Sequence, residues 1–110
     1  KNIEGLGVNV FTDIDEAIKK NDVLNILRVQ LERDAGNLLP SLKEYNKHYG
    51  VTMDKLNLNR KIKILHPGPM NINVELDYDV SVSEQSLIFD QVTNGVAVRC
   101  SVFELMNGKK

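Results

Sequence analysis

Two stretches of this chain carry residue types that could bind a polar or anionic ligand. The first is Arg28–Arg33, where charged and amide side chains follow directly on an apolar run. Arginine can hold a carboxylate with two parallel hydrogen bonds, so Arg28 is a candidate carboxylate ligand. Glu32 could hold Arg28 in position if the segment is helical. An exposed cluster of salt bridges is the alternative interpretation of the same charges.

The second stretch is the loop His66–Pro69, in which two prolines flank a glycine at the end of a β-branched apolar run. Proline has no N–H and cannot continue the ladder of a central strand, so the strand must end here. A stiff loop at the end of a buried strand is where α/β proteins place binding groups. A rigid turn without a binding function fits these four residues equally well.

The surrounding pattern predicts an α/β fold in which parallel strands bring the two stretches together. Strands are predicted at Gly7–Phe11, at Val23–Leu27 and from Lys61, and Thr12 is the predicted N-cap of a helix between the first two. A strand, a helix and a second strand with short links form a βαβ unit, so the strands should be parallel with a right-handed crossover. The segments after the second and third strands would then emerge at one sheet edge, where open α/β sheets bind ligands.

The middle of the chain is predicted to form two helical segments and a polar turn. Ser41 should cap a helix that stops at Gly50, and Thr52 should cap a short helical turn after it. The polar stretch that follows the loop has Val74 and Leu76 as its expected anchors in the core.

The last part of the chain is predicted to be helical from Ser83 to Gly108. Asn94–Gly95 interrupts the pattern, and glycine costs about 1 kcal/mol against alanine inside a helix. We therefore expect a kink or two separate helices at this point. On this basis the chain divides into an α/β domain at 1–85 and a C-terminal helical segment at 86–110.

Several residues with reactive or aromatic side chains are expected to be structural. Cys100 on the last helix is more consistent with core packing than with a nucleophile, because no histidine lies near it in the sequence. His48 is expected on the surface of its helix, and Tyr45 and Tyr49 are expected in the core. His66 is expected to be buried and hydrogen-bonded, rather than a catalytic group.

The composition of the chain narrows the class of protein. At 110 residues it forms one domain at most, and a net charge of −1 with a pI near 6.1 argues against a dedicated nucleic-acid binder. No apolar run approaches the ~20 residues of a membrane span, and no signal-peptide pattern is present. A single cysteine is typical of a reducing cytoplasm, and the histidines and the cysteine lack metal-ligand spacing. We expect a cytoplasmic globular protein that binds no nucleic acid, membrane or metal.

Four segments together resemble the aspartate carbamoyltransferase family. They are Leu27–Arg33, Leu39–Tyr45, His66–Asn71 with Val74–Glu75, and Gln91–Arg99, in the family's order and spacing. The resemblance covers nearly the whole chain and corresponds to the C-terminal, aspartate-binding part of the family. It implies a Rossmann-like parallel sheet with flanking helices. Gly68 stands where the ornithine-specific relatives usually carry cysteine, which favours the aspartate-specific enzymes.

The resemblance also implies a reaction and a set of site residues. In the family, the carbamoyl group of carbamoyl phosphate is transferred to L-aspartate in pyrimidine biosynthesis, by orientation and charge stabilisation, and without a cofactor. Arg28 would bind an aspartate carboxylate with the help of Gln30. Pro67, Gly68 and Pro69 would line the carbamoyl phosphate site, where backbone carbonyls would accept hydrogen bonds from the amino group. Glu32, Arg33 and His66 would support the site, and Asp34–Asn37 would lie in a loop that moves on closure.

The family's phosphate-binding N-terminal half is not found in these residues. Neither its Ser-Thr-Arg-Thr loop nor its His-Pro-Thr-Gln segment occurs in the sequence, and the first residue is Lys1. We therefore expect a piece of a longer chain that does not catalyse the reaction alone and that belongs to a homotrimer in the full enzyme. The last helix normally packs on the missing domain, so Val96, Val102, Phe103 and Met106 are expected to lack their usual partner.

One departure from the family pattern and two alternative functions are also considered. Ile72 and Asn73 stand where many relatives carry arginine and then glycine, so the role of that arginine is not carried over to this chain. A non-catalytic α/β module, kept as an interaction or assembly piece, is the competing hypothesis. Nucleotide binding is poorly supported, because no glycine-rich turn follows any predicted strand.

Overall fold

The computed structural model describes residues 3–30 and 41–108, and two short parallel strands lie at the centre of that part of the chain. Strand β1 is Val23–Asn25 and strand β2 is Lys63–Leu65. Val23 lies opposite Lys63, and Asn25 lies opposite Leu65. The parallel pairing of these two strands confirms the prediction, although both strands are shorter than the sequence pattern indicated.

Five α-helices and one 3-10 turn surround the strands in the described residues. The turn is Ile3–Leu6, and the helices are α1 (Ile14–Lys20), α2 (Leu42–Tyr49), α3 (Met53–Leu56), α4 (Tyr78–Ser81) and α5 (Ile88–Asn107). Helices on the faces of a parallel sheet cover strands that bury apolar side chains on both sides. The arrangement is therefore the α/β class that the sequence predicted.

Side-chain caps fix where the shorter helices begin. The Ser41 hydroxyl accepts the N–H of Glu44 at 3.0 Å, and the Thr52 hydroxyl accepts the N–H of Lys55 at 3.3 Å, so both predicted N-caps are confirmed. The N-cap of α1 is Asp13, whose carboxylate accepts the N–H of Asp15 at 2.8 Å. The prediction of Thr12 was wrong by one residue, because the carboxylate of the next residue makes the capping bond.

The predicted strand at Gly7–Phe11 does not form. No described residue of this stretch pairs in a sheet, and the strand nearest in sequence, β1, is hydrogen-bonded only to β2. Val8 and Val10 remain exposed. An extended segment becomes a strand only where its N–H and C=O groups meet those of a neighbour, and an apolar alternation alone does not supply that neighbour.

The core gathers buried apolar side chains from α1, α3, β2, α4 and α5 and from the segments that link the elements. Ile64, in the middle of β2, is completely buried, and so is Leu76 from the turn after the loop. Val74 is also buried, so both predicted anchors of that turn are confirmed. The other fully buried apolar residues are Ile18, Val51, Leu56, Ile62, Val80 and Ile88.

Helix α5 runs without interruption through Asn94 and Gly95, which corrects the prediction of a kink or two helices. The cost of one glycine, about 1 kcal/mol, is smaller than that of leaving the orphan backbone groups of two additional helix ends. Only Ile88 of α5 is buried, and Phe103 is 65 % exposed. The prediction that Cys100 packs in the core is also wrong, because α5 extends beyond the core and the thiol is exposed.

The C-terminal end of α2 carries a capping interaction that the sequence did not reveal. The Lys55 ammonium donates to the carbonyls of Lys47 at 3.4 Å, His48 at 3.2 Å and Gly50 at 2.9 Å. The last carbonyls of a helix have no intrahelical partner and bear a partial negative charge, so a cation here stabilises the helix end.

We predict that Lys55→Met lowers the free energy of unfolding by about 1–2 kcal/mol, because three helix-end carbonyls lose a charged donor. Urea unfolding followed by circular dichroism measures the change. Lys43→Met is the matched control, since that exposed lysine lies in the first turn of α2, where a cation is not favoured. Equal unfolding midpoints for the two variants would contradict the capping role.

Candidate functional site

The loop His66–Pro69 begins with a histidine whose side chain is completely buried. His66 follows β2 directly and has 0 % exposure. Its backbone N–H donates to Gln91 Oε1 at 2.8 Å, which ties the start of the loop to the first turn of α5. Its ring nitrogen Nδ1 accepts the N–H of Gly68 at 2.9 Å, so the ring also holds the middle of the loop.

A buried carboxylate, that of Glu75, joins the two ends of the loop. Its Oε1 atom lies 3.2 Å from His66 Nε2 and accepts the backbone N–H of Asn71 at 2.6 Å. The Glu75 side chain is 1 % exposed, and its Oε2 atom has no hydrogen-bond partner among the described residues. The backbone carbonyl of Glu75 accepts the N–H of Val51 at 3.0 Å, so the main chain is fixed as well.

Residues 67–69, between these anchors, contribute backbone acceptors but no outward N–H. Pro67 and Pro69 have no N–H, and the N–H of Gly68 is directed inward to His66. Gly68 has a φ of +68°, a left-handed conformation that favours glycine, and the Gly68–Pro69 peptide bond is cis. A ligand that reaches this stretch of backbone therefore meets carbonyl oxygens only.

The segment that carries Arg28 lies beside this loop. The Ile26 N–H donates to the Leu65 carbonyl at 2.8 Å, which continues the β1–β2 pairing by one residue. The side-chain amide of Asn71 donates to the Val29 carbonyl at 2.8 Å. The two stretches that the sequence placed at one sheet edge are thus brought together, with hydrogen bonds on either side of Arg28 in the chain.

The other predicted site residues of this segment are only partly described. Arg28 is half-buried and Gln30 is exposed. Glu32, Arg33 and the predicted mobile loop Asp34–Asn37 lie outside the described residues. Across residues 3–30 and 41–108 there is no group of three His, Cys, Asp or Glu side chains that could hold a metal ion. Over the same residues, no helix has the length and apolar character needed to cross a membrane.

Comparison with known proteins identifies the family. Residues 1–106 match the family described as "Aspartate/ornithine carbamoyltransferase, Asp/Orn binding domain". The chain belongs to this family. The resemblance inferred from four sequence segments is confirmed, and so is the α/β fold class, since the similar solved structures are carbamoyltransferases.

Individual carbamoyltransferases show how much of the enzyme the chain represents. The aspartate carbamoyltransferase catalytic subunit of Endomicrobium trichonymphae is 51 % identical over 110 residues, which are 99 % of this chain and 35 % of that protein. The catalytic subunit of M. jannaschii aspartate transcarbamoylase superposes with a TM-score of 0.69 at 29 % identity, over 89 % of this chain and 31 % of that one. The Trypanosoma cruzi enzyme in complex with carbamoyl phosphate and aspartate gives 0.58 at 27 % identity, over 74 % and 26 %. The chain spans about a third of the length of the curated relatives it matches.

The turn after the loop contains Ile72 and Asn73, the two positions at which the resemblance led us to expect a departure from many relatives. Asn73 has a φ of +61°, and its N–H donates to the Leu76 carbonyl at 2.8 Å. Asparagine is one of the few residues besides glycine that adopt this left-handed conformation, so Asn73 fits a turn that a glycine would also fit. Ile72 is partly exposed and carries no charge.

Sequence reasoning missed the residues that hold the loop in this chain. Glu75, Asn71 and Gln91 all fall in the segments used for recognition, but none received a role. A signal was present, since Glu75 stands between the two apolar anchors Val74 and Leu76, and a carboxylate in a buried segment needs hydrogen-bond donors. The identity of those donors depends on the folded loop, which the sequence pattern does not give.

Helix α2 packs against the same turn through Asn46 and Tyr45. The Asn46 amide donates to the Val74 carbonyl at 3.2 Å and to Asp77 Oδ1 at 3.1 Å. Burial raises the pKa of the Tyr45 hydroxyl, and the negative charges of Glu75 and Tyr49 raise it further. The expectation that both tyrosines lie in the core is corrected, because Tyr45 is half-buried and Tyr49 is exposed.

We predict that Tyr45→Phe reduces the loss of stability at alkaline pH. Because the pKa of Tyr45 is higher in the folded protein than the unfolded value of about 10, its contribution is complete below that pH and is lost as pH rises through the folded pKa. Urea unfolding at about pH 9 and about pH 11 measures the difference. Tyr78→Phe, at an exposed position, is the control. An unchanged alkaline slope in Tyr45→Phe would contradict the prediction.

Proposed function

We propose that this chain is the aspartate-binding part of an aspartate carbamoyltransferase. The enzyme would transfer the carbamoyl group of carbamoyl phosphate to the amine of L-aspartate, giving N-carbamoyl-L-aspartate and phosphate in pyrimidine biosynthesis. The observation that carries the proposal is the position of the acceptor-only loop His66–Pro69 beside the Arg28 segment. The chain's membership of the carbamoyltransferase family supports it.

The acceptor-only loop complements the carbamoyl end of carbamoyl phosphate and does not complement its phosphate end. The carbamoyl amino group donates hydrogen bonds, whereas the phosphate accepts them. Carbonyls of Pro67 and Gly68 would therefore bind the amino group, and Pro69 would lie against the substrate. Two backbone acceptors on a stiff loop orient the carbamoyl carbon for attack by the amine, and orientation of this kind supplies much of the catalysis when no covalent intermediate forms. The phosphate would need donors from elsewhere in the enzyme.

Arg28 would select the second substrate. L-Aspartate carries two carboxylates, and a guanidinium binds a carboxylate through two parallel hydrogen bonds. Gln30 would assist with a neutral amide. Ornithine ends in an ammonium group, which the positive charge of Arg28 would repel. Gly68 also differs from the cysteine of ornithine-specific relatives, so both stretches favour aspartate.

The remaining groups would support closure and assembly. Glu32 and Arg33 would form salt links in the closed state, and His66 would hold the loop from inside. We propose that α5 in the 86–110 segment packs on a carbamoyl-phosphate-binding domain, which would cover the exposed side chains of Phe103 and Met106. The full enzyme would be a cytoplasmic homotrimer that needs no cofactor.

We predict that the purified 110-residue chain forms no N-carbamoyl-aspartate, because the family's phosphate-binding segments are not found in its sequence. The same residues should give activity when they replace the matching third of the Endomicrobium catalytic subunit. A colorimetric assay for N-carbamoyl-aspartate measures both. Product formed by the chain alone, free of host enzyme, would contradict the first expectation. A folded but inactive chimera would favour the alternative, a non-catalytic assembly module.

In that chimera, we predict that Arg28→Ala lowers kcat/KM for aspartate by about 100-fold, which corresponds to about 3 kcal/mol for a lost charged bidentate contact. Steady-state kinetics with aspartate as the varied substrate measure the effect. Arg60→Ala is the matched control, because Arg60 is exposed and precedes β2, at the opposite end of the strand from the loop. Unchanged dependence on aspartate in Arg28→Ala would refute the assignment.

A further inference from the structure

The hydrogen bonds of His66 allow only one arrangement of its ring protons. The Gly68 N–H can only donate, so Nδ1 must present a lone pair, and a neutral imidazole then carries its proton on Nε2. That proton points at Glu75 Oε1, which accepts it at 3.2 Å. In the other tautomer, Nδ1–H would face the Gly68 N–H and the Nε2 lone pair would face a carboxylate oxygen. Two hydrogen bonds would become two repulsive contacts.

The tautomer of His66 determines whether the Gly68 N–H points inward or outward. With Nδ1 as an acceptor, the Gly68 N–H is held inside, and residues 67–69 offer carbonyls alone to a ligand. With Nδ1 protonated, the Gly68 N–H would have to turn away to find an acceptor, and a donor would enter the row of carbonyls. The side chain that selects the tautomer therefore controls the hydrogen-bonding character of the loop.

Stability does not account for a glutamate at this position. Glu75 is 1 % exposed, but Oε1 receives the hydrogen bonds from both His66 and Asn71, and Oε2 is buried without a hydrogen-bond partner among the described residues. A carboxylate has room for about four donors, and a buried one that is partly satisfied is costly. Replacing both members of a buried polar pair by apolar residues is often neutral or stabilising, so stability alone gives no reason for a histidine–carboxylate pair at this place.

We propose that Glu75 is a positioning residue that fixes the Nε2–H tautomer of His66 and thereby keeps residues 67–69 free of outward N–H donors. The tautomer is a property of this chain on its own, whereas its consequence for carbamoyl phosphate rests on the proposed function. His66 itself moves no proton in this arrangement, because both ring nitrogens are engaged within the protein.

The first test is a long-range proton–nitrogen spectrum of the ¹⁵N-labelled chain, which distinguishes protonated from unprotonated ring nitrogens. His66 should show a protonated Nε2 and an unprotonated Nδ1, and exposed His48 is the internal control. Glu75→Gln keeps an oxygen for both donors and should keep the tautomer, whereas Glu75→Leu should lose it. An Nδ1-protonated His66 in the unmodified chain would overturn the proposal, even if Glu75→Leu failed to fold. An unchanged tautomer in folded Glu75→Leu would also overturn it.

The second test is steady-state kinetics of the active chimera. Glu75→Leu should raise KM for carbamoyl phosphate by about 10-fold to 100-fold, the usual effect of a small misplacement of binding groups, with a smaller change for aspartate. Glu75→Gln should restore most of the affinity. A merely structural residue would lower the amount of active enzyme and kcat while both KM values stayed the same, and that result would overturn the positioning role. If the unsubstituted chimera is inactive, the proposed function fails, and the spectrum still decides the role of Glu75.

Discussion

The buried hydrogen bond between His66 and Glu75 is the constraint on which the rest of the site depends. It joins the end of β2 to the turn that precedes α4, across nine residues of chain. The same two side chains also engage the Gly68 and Asn71 backbones, so the loop between them is tied at its start, middle and end. Both groups are inaccessible to water, where an unsatisfied polar atom is costly, and this raises the cost of any alternative loop conformation.

The loop takes its position from a small but well-connected sheet. On the β1 side, the Lys63 N–H donates to the Asp22 carbonyl at 2.9 Å and the Leu65 carbonyl accepts the Ile26 N–H at 2.8 Å. On the other side of β2, the Ile64 N–H donates to the Gln85 carbonyl at 2.9 Å and the Ile64 carbonyl accepts the Leu87 N–H at 2.8 Å. The same stretch leads into α5, whose Gln91 reaches back to the loop. A displacement of α5 at its first turn would therefore also move His66, whose N–H donates to Gln91. Since most of α5 is exposed, any contact that shifts the first turn of this helix would act on the loop in the same way.

The parts of the fold that follow from local chemistry could be predicted from the sequence. Ser41 and Thr52 make their capping bonds within three residues, and Pro67 ends a strand wherever it stands. The predictions that failed concern segments whose structure depends on residues far away in the sequence. The alternation at 7–11 has no neighbouring strand within residues 3–30 and 41–108, and Cys100 lies on a helix that runs past the core. A helical pattern of apolar residues does not show whether any surface of the described residues covers them.

The site illustrates how a backbone can be made selective by removing donors. Main-chain surfaces ordinarily present both N–H and C=O groups, so they bind donors and acceptors alike. Two prolines remove two N–H groups from the loop covalently, and the sequence alone reveals this. The third N–H, on Gly68, is removed by a hydrogen bond to His66, whose ring can accept only because Glu75 holds its proton on the opposite nitrogen. The glycine is needed for its φ of +68°, so its N–H could not be removed by a third proline. The buried histidine–carboxylate pair therefore masks the one N–H of residues 67–69 that the two prolines leave.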